Sequence, residues 1–266
     1  MGESEILYKY KGPDKLKYIL DILINNRIFC PKNQVLNDIL EGDFKIPYSN
    51  HVWSEIQHNF DYKADLWEKI EQVEGLDPDT LYTPNGLGTK LHRLTDEIKK
   101  RRICSLAKNC NTARLWTFYA QDSKGVAIGV KVEDEHSTRC EIQYDGVHVI
   151  ENLENLNNMD EKIYEIFSHK NPEWYQEREV KYIKHVLNDL RTKWKFNKEL
   201  EEEILENEIY LKVDVKSVYY IKRRIDTTFK NILEKIISYI NIERNQQGKD
   251  SIQMIGLSVE EIDYGL

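Results

Sequence analysis

Cysteine, proline and glycine are all scarce in these 266 residues, at 4, 6 and 12 respectively. The cysteines, Cys30, Cys104, Cys110 and Cys140, form no CxxC pair and no zinc-ligand spacing, which argues against a disulfide framework or a zinc module. The seven histidines make no HxH or HExxH, so the sequence indicates no metal site. GxGxxG, GxxxxGK[ST] and GxSxG are also missing. The GxG within Thr83-Pro84-Asn85-Gly86-Leu87-Gly88 follows no good strand, so it is a poor nucleotide loop. No apolar run approaches the roughly 18 residues that a membrane helix needs. Gly2-Glu3-Ser4-Glu5 is polar and acidic where a secretory leader would be apolar. The expectation is a reduced, cytoplasmic chain with no membrane partner.

Positive charge is in deficit as well. Lys and Arg number 38 against 46 Asp and Glu, leaving a net charge of −8. A protein that coats duplex DNA works by neutralising phosphates, which this balance excludes, although a local basic groove is still allowed. Charged residues make up 32% of the chain and the mean hydropathy is −0.64, as expected for a soluble globular protein with a strongly hydrated surface. The length is enough to bury a core without covalent staples.

What is present reads as alternating strands and helices. Ile6 to Tyr10 alternates as a strand, and Leu16, Ile19, Leu20, Leu23 and Ile24 repeat at helical spacing. Arg27 to Cys30 is extended again. Between about 43 and 100, Asp65–Val73 and Gly88–Lys100 look helical, and this stretch is taken as a mostly helical insertion. Ile103–Ala107 and Gly125–Val132 read as strands, with a short aromatic helix from Thr112 to Ala120 between them. Cys140–Tyr144 and Gly146–Ile150 suggest a hairpin turning at Asp145-Gly146. Met159–His169 and Thr227–Ile242 are amphipathic helices. Ile209–Val215, Ser217–Ile221 and Ile252–Leu257 complete the strands, and Lys184–Asn207 looks helical. The expected fold is a single α+β domain over residues 1–266, built on a mainly antiparallel twisted sheet with peripheral helices.

Several groupings could carry chemistry. Glu177, Glu179 and Lys181 alternate, so a strand from Glu177 to Ile183 puts all three on one face. Such a face is either a solvated edge or the wall of a cleft, since buried charge without partners is costly. Trp116 and Tyr119 offer a stacking platform for a base or a nicotinamide ring, or else plug the sheet. On the first strand the tyrosines Tyr8 and Tyr10 must face one side and Lys9 the other. Lys99-Lys100-Arg101-Arg102 and Lys222-Arg223-Arg224 are either phosphate contacts or solvated helix ends.

The order of these segments resembles a known pattern. Leu7-Tyr8-Lys9-Tyr10, Leu36-Asn37-Asp38, Ile103-Cys104-Ser105-Leu106, Leu115-Trp116-x-x-Tyr119-Ala120, Lys124-Gly125-Val126-Ala127-Ile128 and Trp174-Tyr175-x-Glu177-x-Glu179-Val180 follow one another. The series is similar to the bacterial family catalogued as domain of unknown function 2971, whose members read L-Y-[KH]-Y, L-N-D-P, S-F-S, W-x-x-Y-A, K-G-x-x-I and W-x-x-E-x-E-W-R. Ile39, Leu106-Ala107 and Val180-Lys181 depart from it. The first strand of some members is in turn similar to the opening of ADP-ribosyltransferases, and the family is associated with abortive infection and phage defence.

The resemblance implies an ADP-ribosyltransferase-like fold and a site that cleaves the nicotinamide–ribose bond of NAD as substrate. Its residues would be Glu179 and Glu177 as catalytic carboxylates, with Lys9, Tyr10, Ser105, Trp116 and Tyr119 around the nucleotide. Lys9 stands where some relatives have His, and an ammonium cannot accept a hydrogen bond. The acceptor would be a protein or a nucleic acid. Two other classes compete. One is a Mg²⁺-dependent nuclease using Glu179 and Lys181 with Asp145 or Asp160, and the other is a non-catalytic binding or sensing module of a defence system.

Overall fold

A computed structural model describes residues 5–33, 36, 38, 41–47, 70–72, 87–150, 158–184 and 209–264. Its contacts divide the chain into two compact units, one of residues 1–30, 104–139 and 174–266, the other of residues 31–103 and 140–173. The architecture is α+β, with a mainly antiparallel eight-stranded sheet and several helices.

The sheet begins with β1 (Leu7–Lys11), which is followed by α1 (Leu16–Asn25) and β2 (Arg27–Phe29). Helical spacing buries Ile19, Ile22 and Leu23 of α1, and Asn26 ends the helix in a left-handed conformation at φ 51°. β5 (Arg102–Ala107) and β6 (Val126–Val132) flank β1 on either side, both antiparallel to it. Outside β5 lie β9 (Glu179–Lys184) and then β7 (Ser137–Glu141). Outside β6 lie the long β10 (Tyr210–Ile221) and β11 (Gln253–Leu257). β11 runs parallel to β10, while β2 pairs antiparallel with the start of β10. The crossover between β10 and β11 is α5 (Thr227–Gln246), capped by Asp226, whose carboxylate accepts from the Phe229 backbone N–H at 2.9 Å.

Alternation assigns the two faces of the sheet. One face, with α1 and α5, forms the main core: Leu7, Cys104, Leu106, Val126, Ile128, Val130, Val180 and Tyr182 pack with Ile19, Leu23, Leu233 and Ile237. Each fully buried aliphatic side chain contributes on the order of 1.5–3 kcal/mol. The opposite face carries a second cluster of Tyr10, Ala107, Ala127, Ile221 and Leu257, plugged by Trp116 of α3 (Ala113–Phe118). β10 stays on the main core along its length only because of a bulge. Val215 pairs with Val130 and Ser217 with Gly129, so Lys216 is the extra residue and Val218 returns inward. Hence the two strands expected over 209–221 are one.

The chain after α3 turns through Gln121, Asp122 and Ser123 at φ 50°, 52° and 68°. Backbone N–H groups in this left-handed turn reach the helix carbonyls, Asp122 to Thr117 at 3.1 Å and Ser123 to Trp116 at 2.9 Å. Gly125 then passes so close to β1 that a β-carbon there would stand 2.1 Å from the Lys11 carbonyl oxygen. Only glycine fits.

In the other unit, β3 (Phe44–Pro47) pairs parallel with β4 (Ile70–Gln72) and with β8 (His148–Val149), beside helices α2 (Leu87–Lys100) and α4 (Met159–Ser168). β8 therefore belongs to a separate three-stranded sheet and does not form the expected hairpin with β7. Within 43–100 the described residues are strands as well as helix, and 70–72, expected to be helical, is extended. Most of 184–207 and of Asp65–Val73 lies outside the described residues. Among the described residues no helix is long and apolar enough to cross a membrane.

Candidate functional site

The second face of the sheet is where the chemistry-bearing side chains collect. Register puts Ser217, Gly129, Tyr8 and Ala107 side by side across β10, β6, β1 and β5. Lys108 N–H donates to the Arg178 carbonyl at 3.0 Å, which sets the start of β9 beside Ala107 and carries the row on to Glu179. Neighbouring strands lie about 4.8 Å apart, so Tyr8 and Glu179 flank Ala107 across roughly 10 Å. The small Ala107 side chain leaves a low floor between a phenol and a carboxylate. Ser105, two residues along β5, lies on the same face and is partly exposed, as is Tyr8.

Tyr8 leans away from that floor. Its ring meets Tyr219 edge-on at 5.6 Å, passing over Gly129, where a β-carbon would come within 3.3 Å of the Tyr8 ring. Burial, followed by the neighbouring Cys110 and Tyr219, pushes the Tyr8 phenol well above the usual tyrosine range, so it stays a neutral donor. Burial likewise raises the Cys110 thiol.

Glu179 is 5% exposed and Lys181 is fully buried. Together they share the second face, opposite Val180 and Tyr182. β9 is interior to the sheet and buried at every position, so the solvated-edge alternative does not hold. Glu177 behaves differently from the expectation. It ends a 3-10 helix (Pro172–Glu177), and Arg178 adopts φ 43°, so the strand starts only at Glu179. The left-handed residue breaks the alternation that would have put Glu177 and Glu179 on one strand face. Both glutamates are buried and both engage other groups in the fold.

Lys9 is not brought together with Glu179. Alternation with Leu7 puts it on the main-core face, where its Nζ donates to the Ser105 carbonyl at 2.7 Å. Its charge is felt there by Cys104, whose thiol is lowered to about 7 by a hydrogen bond from Cys30, against burial, with Lys9 and Lys11 lowering it further and Glu179 raising it. A lysine stem suits this position because its methylenes pack while the ammonium finds a carbonyl. The structure thus gives Lys9 a partner within the fold, the Ser105 carbonyl.

Tyr10 and Trp116 share the face of Glu179 but are packed shut. Their rings meet edge-on at 5.3 Å, Trp116 Nε1 donates to the Cys110 carbonyl at 2.9 Å, and Tyr10 Oη donates to the Asn109 carbonyl at 2.8 Å. Trp116 is completely buried, so it plugs the sheet and offers no open stacking surface. Tyr119, at the end of α3, packs half-buried against the same cluster. The residues missed by reading the sequence are Tyr8 as the open aromatic, Ala107 as the floor, and Cys110 and Tyr219 as neighbours. Tyr8 lies inside the Leu7–Tyr10 motif, where alternation already separated it from Lys9.

Elsewhere, a cavity of about 350 Å³ lies at the end of the second face, lined by Thr117, Asp122, Ser123, Ile221, Arg224 and Tyr264. In the other unit the basic run at the end of α2 is neutralised internally. Arg101 pairs with Asp160 at 2.6 Å, and Lys100 with Glu97 at 2.7 Å. The Asp145 carboxylate accepts from His169 Nδ1 at 2.6 Å. Asp145 and Asp160 thus have partners of their own, and among the described residues no three His, Cys, Asp or Glu side chains are grouped to hold a metal ion. Comparison with protein-family models, curated proteins and solved structures finds no match to this chain.

Proposed function

We propose that the chain is an ADP-ribosyltransferase-like enzyme that cleaves the nicotinamide–ribose bond of NAD on the second face of its sheet. The observation that carries the reading is the row of Tyr8, Ala107 and Glu179 on three neighbouring strands, with Ser105 beside it. Breaking the C1′–N bond sends its electron pair to nicotinamide and leaves an oxocarbenium ion on the ribose. The Glu179 carboxylate, held in a low-dielectric wall, stabilises that cation and accepts from a ribose hydroxyl. Ser105 supplies a further hydroxyl, and Tyr8 is the open aromatic against which the nicotinamide packs. The acceptor adds to C1′ and releases a proton. Glu177, at the end of the preceding helix, would orient that acceptor, a protein or nucleic-acid group or water.

The motif series, similar to that of domain of unknown function 2971, supports the same reading and suggests a role in bacterial phage defence. An NAD-consuming enzyme would work in the cytoplasm, which agrees with four cysteines held as free thiols.

The test is nicotinamide release from NAD, read beside thermal stabilisation, for the wild type and Glu179→Gln. A ligand at 100 times its Kd stabilises the folded state by about 2.7 kcal/mol. Release that disappears in Glu179→Gln while the fold is retained supports the reading. No release and no stabilisation from the wild type overturns it in favour of a non-catalytic binding module.

A further inference from the structure

Arg114 combines a buried, unused donor with aromatic contacts. Arg27, Arg101, Arg139 and Arg244 each reach a carboxylate oxygen within 3.0 Å. Arg114 reaches none among the described residues, in a protein with 46 acidic side chains. Its guanidinium instead lies against two rings, 4.7 Å from the centroid of Trp174 and 5.3 Å from that of Phe118. The Nε of Arg114 is shielded from solvent and donates to no acceptor. A buried donor left unused costs free energy and calls for an acceptor.

A guanidinium held against aromatic rings keeps its N–H groups for an acceptor, an arrangement that suits a phosphate. The surroundings extend the same chemistry. Phe118 is 66% exposed and Tyr175, next to Trp174, is 55% exposed, so flat apolar surface remains open beside the cation. The 3-10 helix that carries Trp174 ends at Glu177 and leads directly into the exposed Arg178 and then Glu179. With the Asn109 amide oxygen turned toward it, Arg178 donates to Asn109 at 3.1 Å and is held close to the start of β9.

We infer that Arg114, Trp174 and Phe118 form a binding subsite for the phosphate-bearing end of a nucleotide, with Arg114 on a phosphate and the base stacked on Phe118. Resting on the NAD reading above, the inference assigns the adenosine diphosphate half of the substrate to this platform, with Arg178 between it and Glu179.

The experiment is calorimetric titration with ADP and with adenosine, together with the KM for NAD. The proteins are the wild type, Arg114→Met, which keeps the packing stem, and Arg114→Lys, which keeps the charge. ADP is expected to bind the wild type at least tenfold tighter than adenosine and to weaken on raising salt. Arg114→Met should lose at least tenfold in ADP affinity, and Arg114→Lys less. KM for NAD should rise in parallel while kcat changes little. ADP affinity and KM unchanged in a folded Arg114→Met overturn the subsite and leave the NAD reading standing. ADP binding that depends on Arg114 without any nicotinamide release keeps the subsite and overturns the enzyme. A wild type that neither binds ADP nor cleaves NAD overturns both.

Discussion

The two faces of the eight-stranded sheet both bury charge, and they do so on opposite terms. On the main-core face Lys184 and Asp134 are each about 1% exposed and meet at 2.5 Å. Asp134 also accepts from the backbone N–H groups of Lys212 at 3.0 Å and His136 at 2.8 Å. All of these partners come from the chain itself. On the second face Glu179 stands across a small alanine from a partly open phenol, next to a partly open serine. Charge closed in by its own partners belongs to the architecture. Glu179 engages groups of the fold as well, so what sets it apart is the partly open hydroxyl and aromatic surface beside it.

The sharpest way to break this contrast is to remove one partner from each face. Lys184→Met strands the Asp134 carboxylate in the core and should lower unfolding free energy by about 3–5 kcal/mol in urea denaturation, without a specific effect on NAD. Glu179→Gln should do the reverse, cutting nicotinamide release by about 10²–10³ while the denaturation midpoint moves little. A large stability loss in Glu179→Gln would make the two faces alike and remove the basis for the site. Ala107→Leu tests the floor itself. It should cost roughly 1–3 kcal/mol through overpacking and abolish NAD-dependent thermal stabilisation. Undiminished stabilisation by NAD would mean that the ligand does not lie on that floor.

The smallest effects are pH dependences, and they come from outside this row. His148 packs its ring 4.7 Å from that of His169, and Glu165 lies 3.6 Å from its Nε2. Burial, then His169 and Lys162, lower its pKa below the ordinary 6.5 despite Glu165 and Asp145. The unfolded chain therefore binds the proton first, and stability should begin to fall as pH drops below about 6.5. His148→Phe should flatten that limb in pH-dependent thermal melts. Asp214 gives a second limb. Burial pushes its carboxyl up, but hydrogen bonds from Lys216 and Arg244 outweigh this and hold it below the usual range. Its contribution is present above the ordinary 3.8 and is lost as pH falls through the lower folded value. Asp214→Asn should remove that acid limb and leave the one near 6.5 in place.

Much of the fold was legible because local patterns agree with burial. The apolar run from Val126 to Val132, the helical spacing of α1 and the amphipathic pattern of α5 each specify one outcome. The site was harder, since single backbone residues decide it. Arg178 at φ 43° has no sequence mark, and it alone separates Glu177 from the strand that carries Glu179. Alternation in Leu7–Lys11 did show that Lys9 and the tyrosines part company. Which side met Glu179 depends on the pairing of β1 with β5 and of β5 with β9, which no local pattern records. Lys216 is similar: a bulge there lets one strand run through 210–221 where the sequence reads as two. In the 31–103 and 140–173 unit, Asp145-Gly146 has the composition of a hairpin turn, yet β8 finds its partner in β3.

With the Lys11 carbonyl oxygen 2.1 Å from where a β-carbon would stand at Gly125, mutational drift has no second option at that position. In a saturation library selected for folded protein, codon 125 should return glycine alone. Its neighbour Lys124 should tolerate broad replacement. That single-residue bottleneck would mark where the chain leaves the left-handed turn and enters the sheet, a landmark that distant sequences could be aligned on even where every catalytic letter has changed.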